Sequence, residues 1–405
     1  MKSRPDLFEA KGAPGLEIFQ LTEGPTPCSH IYMEAQIFSP DSKRFVLHRS
    51  ASPHGSNKDD SNHCYLLCDL ENRGELVPMT FETGATAPSL TPDGKYLYYF
   101  VNETVTNGGK LTLKRAALDG SERNTILVLD APIPDTPYRP SQIYPLSTIS
   151  SDGNRLALAA FLGDGETQNA PWGLIIFDLR AATVQMVLEG PSWLNLHPQY
   201  CRATDAEAAH DIMVQENHGG RCDLTGTYYK LTGGKHADIH LIRDDGTRFR
   251  NFPWGRDGNE VCQGHQCWRG QSLTAITSTD VQRPRGKELI ESLPLPFAGH
   301  IGIATPGGQR NVLSRDFPEP RFCHFATDRA GQRLVSDAYT DDRKWLLYAA
   351  EFGADGEALR DWRFLLDTRS STKAHPHPFL APDGAKAFFN SDESGALHAY
   401  MVSGL

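Results

Sequence analysis

Short apolar runs, each entered through a turn, recur along the whole chain. Ser39-Pro40-Asp41 precedes Arg44-Phe45-Val46-Leu47, Thr91-Pro92-Asp93-Gly94 precedes Tyr96-Leu97-Tyr98-Tyr99-Phe100, and Ser151-Asp152-Gly153 precedes Arg155-Leu156-Ala157-Leu158. Weaker copies are Thr204-Asp205 before Asp211-Ile212-Met213-Val214, Trp268-Arg269-Gly270 before Leu273-Thr274-Ala275-Ile276, and Thr327-Asp328 before Arg333-Leu334-Val335-Ser336-Asp337. Ala381-Pro382-Asp383-Gly384, ahead of Phe388-Phe389-Asn390-Ser391, closes the series. Pro, Asp and Gly are the residues a tight turn selects, and aromatic and aliphatic runs behind such turns form strands.

The repeats number seven and fall roughly 50–65 residues apart, a period that fits a four-stranded propeller blade with variable loops. Further strands are predicted at 64–70, 173–179 and 346–350, between the repeated ones. Helical periodicity is nearly absent. The pattern predicts an all-β, seven-bladed β-propeller occupying residues 1–405 as a single domain, with a pair of β-sandwiches as the alternative. Ring closure is expected from Leu16-Glu17-Ile18-Phe19-Gln20-Leu21 pairing with His398-Ala399-Tyr400-Met401-Val402 in one blade, which removes the open edge. The most loop-like stretches are 51–63 and 278–300.

Composition narrows the classes of partner. A formal charge of -10 over 405 residues, with no basic stripe, argues against binding nucleic acid through its phosphates. No apolar run is long enough for a signal-peptide core or a membrane span, so a cytoplasmic protein with no membrane partner is expected. Eight cysteines are scattered through the chain, which in that setting favours reduced thiols. Cys64-x3-Cys68 and Cys262-x4-Cys267 could be zinc half-sites, but no regular second pair completes either.

The candidate chemistry lies in histidines placed next to the repeated units: His197-Pro198-Gln199-Tyr200, Asn217-His218-Gly219-Gly220, Gly264-His265-Gln266-Cys267-Trp268, Cys323-His324-Phe325 and His375-Pro376-His377-Pro378. Corresponding positions in successive blades point at a common axis. Taken singly, each imidazole could equally be a strand-end hydrogen-bonding residue. His375 and His377, one residue apart in an extended segment, are expected on one face. With His265 arriving from another blade they offer three neutral nitrogen ligands to a divalent metal.

The Leu194-to-Tyr200 stretch, Gly264-to-Trp268, and His-Pro-His-Pro at 375–378 followed by Pro-Asp-Gly and Ser-Asp together resemble the oligogalacturonate lyases. Leu21-Thr22-Glu23-Gly24 and the Pro-Asp repeats extend the resemblance over most of the chain. It implies a cytoplasmic seven-bladed propeller that cleaves short uronate oligosaccharides by β-elimination with a bound divalent metal, often manganese. Position by position, it implies metal ligands His265, His375 and His377 and a catalytic base at His197. Two departures stand out. Thr372 occupies the place of a glutamine ligand, and no arginine lies near 167–174, upstream of His197, to neutralise the substrate carboxylate.

Arg202 and Arg221 are the nearest substitutes for that arginine, and Asn217 with His218 could share the work. Tyr200 either donates to the leaving oxygen or packs. Gln199 and Trp268 are further candidates for touching the sugar. Trp193 and Trp254 also lie near these loops and either stack on sugar or pack between blades. Lys235, His236, Arg243, Arg256 and Arg269 add positive charge that suits an acidic oligosaccharide. The competing reading is a non-catalytic propeller of the TolB type that binds a protein or peptide.

Overall fold

A computed structural model describes all residues except 51–58, 233–236, 255–259, 282–299, 309, 315–320, 341, 355 and 357. Each recurring run identified above becomes the second strand of a four-stranded antiparallel blade. Blade 1 contains Ser29–His30, Arg44–Arg49, Cys64–Asp69 and Glu75–Pro78, and blade 2 contains Ala85–Leu90, Tyr96–Val105, Gly108–Ala117 and Arg123–Leu129. Blade 3 contains Gln142–Ile149, Arg155–Phe161, Trp172–Asp178 and Thr183–Gly190. Blade 4 is Gln199–Tyr200, Asp211–Asn217, Ala237–Arg243 and Arg250–Asn251, and blade 5 is Glu260–Trp268, Ala275–Val281, His300–Ala304 and Arg310–Val312. Blade 6 is Arg321–Thr327, Arg333–Tyr339, Trp345–Phe352 and Leu359–Asp367.

Blade 7 closes the ring with strands from both ends of the chain. Phe379–Leu380, Lys386–Ser391 and His398–Ser403 are joined by Glu17–Gln20 in the register Glu17↔Ser403 to Gln20↔Tyr400. Lys2–Ser3 adds a fifth strand outside it. Arg4 locks the seam: its guanidinium meets Glu393 at 2.6 Å, and both side chains are about nine-tenths buried. The propeller reading therefore holds over the sandwich alternative. Of the two loop-like stretches, 51–58 and 282–299 lie outside the described residues, while Ala275–Val281 and His300–Ala304 on either side of the second are strands.

The turns explain why these sequences build blades. In blade 1 the Ser39 hydroxyl donates to Asp41 Oδ1 at 2.5 Å and accepts the Arg44 amide at 3.0 Å, so the turn initiates the second strand directly. Thr91 with Asp93 and Tyr96, and Ser150 with Asp152 and Arg155, repeat the arrangement. Gly94, Gly153 and Gly384 supply the left-handed residue there, with φ near 70°. Blade 1 uses Ser42 instead (φ 61°), and its hydroxyl accepts the Asp383 amide of blade 7 at 3.0 Å.

Packing between blades is largely aromatic and aliphatic. Phe38 meets Phe379 at 5.6 Å and Phe45 meets Phe388 at 4.9 Å, which joins blades 1 and 7. Burying each such ring removes of order 150–250 Å² from water and dominates the local energetics. Among the described residues no helix is long and apolar enough to cross a membrane.

Candidate active site

Every innermost strand ends in a backbone bond that closes the turn to the second strand. The amides making that bond belong to Ser39, Thr91, Ser150, Cys201, Arg269, Asp328 and Ala381. His197, His265, His324 and His377 each stand four residues before theirs. Four blades in sequence therefore present an imidazole at the same level of the axis.

Period-two alternation does not aim these rings. The innermost strands are interrupted near this level, with register shifts between Thr86 and Ser89, Ile143 and Ser147, Cys262 and Gln266, and Phe322 and Phe325. Such bulges bend a strand and redirect its side chains. His197 (φ 49°) and His377 (φ 45°) adopt left-handed backbone, which costs a non-glycine residue on the order of 1–3 kcal/mol. Gly264 (φ 86°) does the same beside His265, where a Cβ would come within 2.8 Å of the Gln215 side chain. The expectation that His375 and His377 share the face of a strand is corrected: the strand begins only at Phe379, and the turned backbone at His377 brings both rings inward.

The rings gather around His324. The ligand atoms of His324, His375 and His377 lie within 4.8 Å of one another, and so do those of His265, Cys323 and His324. Ring centroids separate by 4.3 Å for His324 and His377, 5.5 Å for His324 and His375, and 4.2 Å for His265 and His324. His265, His375 and His377 do not form a group by themselves, and His265 joins through His324. His324 is the ligand candidate that the sequence reading passed over.

Asp337, on the second strand of blade 6, fixes the hub. Its Oδ1 accepts the His324 backbone amide at 2.8 Å, and its Oδ2 lies 2.9 Å from His324 Nδ1. That bond commits Nδ1 and leaves Nε2 toward the other imidazoles, the usual role of a carboxylate behind a metal-binding histidine. Asp337 is fully buried, and burial raises its carboxyl to about 7. Burial also lowers the His375 pKa, with Asp337 pulling the other way, so that ring tends to the neutral form that can donate a lone pair.

The donor set fits a borderline divalent metal. Two nitrogens bound at about 2.1 Å in a tetrahedral shell sit roughly 3.4 Å apart, so a cradle of three within 4.8 Å needs only a small contraction. His324 and His377 are buried, while His265, Cys323 and His375 are partly exposed, which leaves one side of the cradle facing solvent. Thr372, where the resemblance implies a glutamine ligand, is exposed, and its backbone carbonyl acts on the His375 ring.

A second cluster lies on the far side of Tyr32. The Tyr32 ring is 4.7 Å from His377 and 5.7 Å from His197. His197 Nδ1 is 2.9 Å from Glu34 Oε2, and the Tyr144 hydroxyl lies 3.1 Å from Nδ1 and 3.2 Å from Nε2. Sequence reasoning missed both Glu34 and Tyr144. Each stands ahead of a recognised turn, as the histidines do, but is a residue type that the histidine pattern does not mark.

Several residues expected at the site lie elsewhere. Tyr200 is buried and donates to Asp244 Oδ2 at 3.0 Å, away from His197. The Gln199 side chain donates to the Gln266 carbonyl, and the Trp268 indole N–H to the Gln199 carbonyl, so both form the wall between blades 4 and 5. Asn217 is buried and donates to the Leu194 carbonyl at 2.6 Å. Trp193 and Trp254 are buried, the latter stacked on Phe252. None of these six offers a face to a sugar.

His218 remains partly exposed, with Nε2 3.0 Å from Asp238. Arg221 is exposed on a short hairpin that follows the second strand of blade 4. That strand runs toward the histidine level, since the Gln215 amide bonds the Leu196 carbonyl. Arg202 points into the opposite end of the axis, as described below. Arg243 pairs with Glu207 and Asp211, and Arg269 donates to Gly331 and Gly356, so neither is a loose surface charge. Lys235, His236 and Arg256 lie outside the described residues. All eight cysteines are free thiols, and among the described residues neither expected zinc pair belongs to a candidate metal group.

No protein-family model matches the sequence, nor does any curated protein. Among solved structures the chain is similar to oligogalacturonate lyase from Vibrio parahaemolyticus, with TM-score 0.69 and 16% identity over 97% of this chain and 95% of that one. It is similar to an oligogalacturonate lyase in complex with manganese, with TM-score 0.68 and 18% identity over 97% and 94%. A xyloglucanase from Xanthomonas campestris gives 0.52 at 15% identity, over 92% of this chain and 52% of that one. At such identities the likeness is one of fold.

Proposed function

We infer that the protein is a metal-assisted β-elimination lyase acting on short uronate-containing oligosaccharides, with galacturonides as the first substrate to try. The observation carrying this reading is the gathering of His265, His375 and His377 around His324, with the buried Asp337 carboxylate orienting the central ring. His324, His375 and His377 would hold the divalent metal, manganese being the first choice because a neighbour of the same fold binds it. When bound, the metal would draw charge from the uronate carboxylate and make the adjacent carbon acid easier to deprotonate.

The roles then shift relative to those the resemblance implies: His324 takes the ligand place of His265, and His265 takes the place of His197 as base. His265 is partly exposed at the rim of the cradle, beside His324 and with Nδ1 3.6 Å from Cys323 Sγ. It is assigned the base that removes the proton next to the carboxylate, and a neutral imidazole suits that task near neutral pH. His197 is held between Glu34 and Tyr144 behind Tyr32, and is assigned to positioning. Arg221, exposed and carried on the same side by the blade 4 strand, is the candidate for pairing with a second uronate carboxylate.

The test separates binding from chemistry. The protein is loaded with Mn²⁺ and given di- and trigalacturonate, and the unsaturated product is followed by ultraviolet absorbance. His265→Ala is expected to keep its metal and lose about 10²–10⁴-fold in rate, the usual worth of a general base. Wild-type protein that carries metal yet leaves a panel of uronides intact would remove the lyase reading and favour a binding propeller.

A further inference from the structure

The axis has a second mouth. A cavity of ≈ 180 Å³ opens among the turns that join first and second strands, at the end away from the histidines. Its rim carries Pro40 and Pro92, both exposed, and its walls are largely apolar, with Met33, Ile37, Phe379 and Leu380 among them. No candidate metal-site histidine and no carboxylate lines it.

Arg202 and Arg329 are the charged exceptions to those walls, and Arg329 is exposed. Arg202 stands five residues after His197, beyond the innermost strand Gln199–Tyr200 and next to Cys201, whose amide closes the turn to the second strand of blade 4. The side chain is partly buried and lines the cavity. Among the described residues no hydrogen bond or ion pair engages its guanidinium, and Glu34, the one carboxylate acting on it, is committed to His197. Burial lowers the Arg202 pKa, the sign of a charge held in a poorly solvated place without an adequate counter-ion. Such a charge is costly unless something pairs with it.

We propose that this second mouth is a binding site for a small monocarboxylate with an apolar body, its carboxylate on the Arg202 guanidinium and its body against Met33, Ile37 and Phe379. A guanidinium fork matches a carboxylate in shape. The volume is close to that of an engineered cavity of about 150 Å³ that accepts one benzene ring, so a single ring or a short branched chain fills it. The site is separate from the histidine cradle and does not depend on its chemistry.

Titration calorimetry of the full chain with benzoate and with cyclohexanecarboxylate tests this. Saturable binding is expected in the wild type, weakened at least tenfold in Arg202→Met and unchanged in His324→Ala. Ala35→Met fills the cavity without altering its charge and is expected to abolish binding; it decides the matter should Arg202→Met fail to fold. Absence of saturable binding by either acid overturns the proposal, as does binding that survives Arg202→Met or Ala35→Met. Loss of binding in His324→Ala alone would place the acid at the histidine mouth and overturns it equally, and so would a preference for inorganic phosphate over benzoate.

Discussion

His324 and His197 occupy the same position in their blades, four residues before the closing bond of the turn, and each has a buried carboxylate as partner. They differ in where the partner comes from and in what remains for the other nitrogen. Asp337 lies on the strand next to His324, grips both its ring and its backbone amide, and leaves Nε2 facing other imidazoles. Glu34 reaches His197 from a segment of blade 1, and the Tyr144 hydroxyl covers the ring as well. On the reading proposed above, such a pairing makes an imidazole a ligand where its other nitrogen meets further donors, and a polar strut where it meets a phenol.

The largest effect expected from that contrast is at His324. His324→Ala removes the atom common to both donor groups, so metal content after dialysis should fall to background and any elimination activity with it. His197→Ala should leave metal content unchanged, as read by elemental analysis. Equal metal loss in the two variants would break the distinction between ligand and strut.

Asp337→Asn comes next. Loss of the carboxylate behind a ligating histidine costs about 10–100-fold in metal affinity. It also gives a pH signature in the metal-free protein. Because the folded Asp337 carboxyl sits at about 7, the native state keeps a proton that the unfolded chain releases near pH 4. Stability from this group is full below about pH 4 and is lost as pH rises through about 7. The melting temperature of metal-free wild type, relative to Asp337→Asn, should therefore fall across that window, and a flat difference would show that Asp337 is ionised throughout.

The fold was legible because its determinants are local. Ser39, Thr91 and Ser150 announce their turns by hydroxyl and aspartate spacing, and the strands behind them need no distant partner to be recognised. The pairing of Glu17–Gln20 with His398–Ser403 was equally readable, since ring closure demands it. The site was legible only in part. His375 and His377 stood out through their spacing, although the reason given for it fails, because left-handed backbone at His377 replaces the strand alternation. His324 carries no such spacing, and its signal was its offset from the Thr327-Asp328 turn, the same four residues that separate His265 from Arg269. Tyr200, Gln199, Asn217 and Trp268 were drawn in by nearness in sequence to histidines. Successive strand residues point to different sides, and these four side chains bond neighbouring backbone or Asp244 and became wall.

A smaller effect is expected at Glu34. Glu34→Gln keeps the shape but removes the charge beside His197, at a cost of about 1–3 kcal/mol for disturbing a buried pair. If His197 only positions the wall behind Tyr32, metal affinity should hold and turnover should fall by about tenfold or less. A drop approaching that of His265→Ala, with the pH profile of the rate displaced, would return the base to His197.

The smallest effect belongs to Tyr144. Tyr144→Phe deletes one hydroxyl from the His197 strut and leaves the ring, which lies 5.4 Å from the imidazole, in place. A single hydrogen bond of this kind contributes about 0.5–1.5 kcal/mol net, so a modest fall in denaturant midpoint is expected, with metal content unchanged. The variant is informative because it leaves His197 to Glu34 alone. Should His197 then begin to bind added Mn²⁺, seen as a second site in the titration, the phenol rather than the carboxylate's origin is what separates strut from ligand. Should it not, the single-ring gap imposed by Tyr32 is sufficient to keep the two clusters apart.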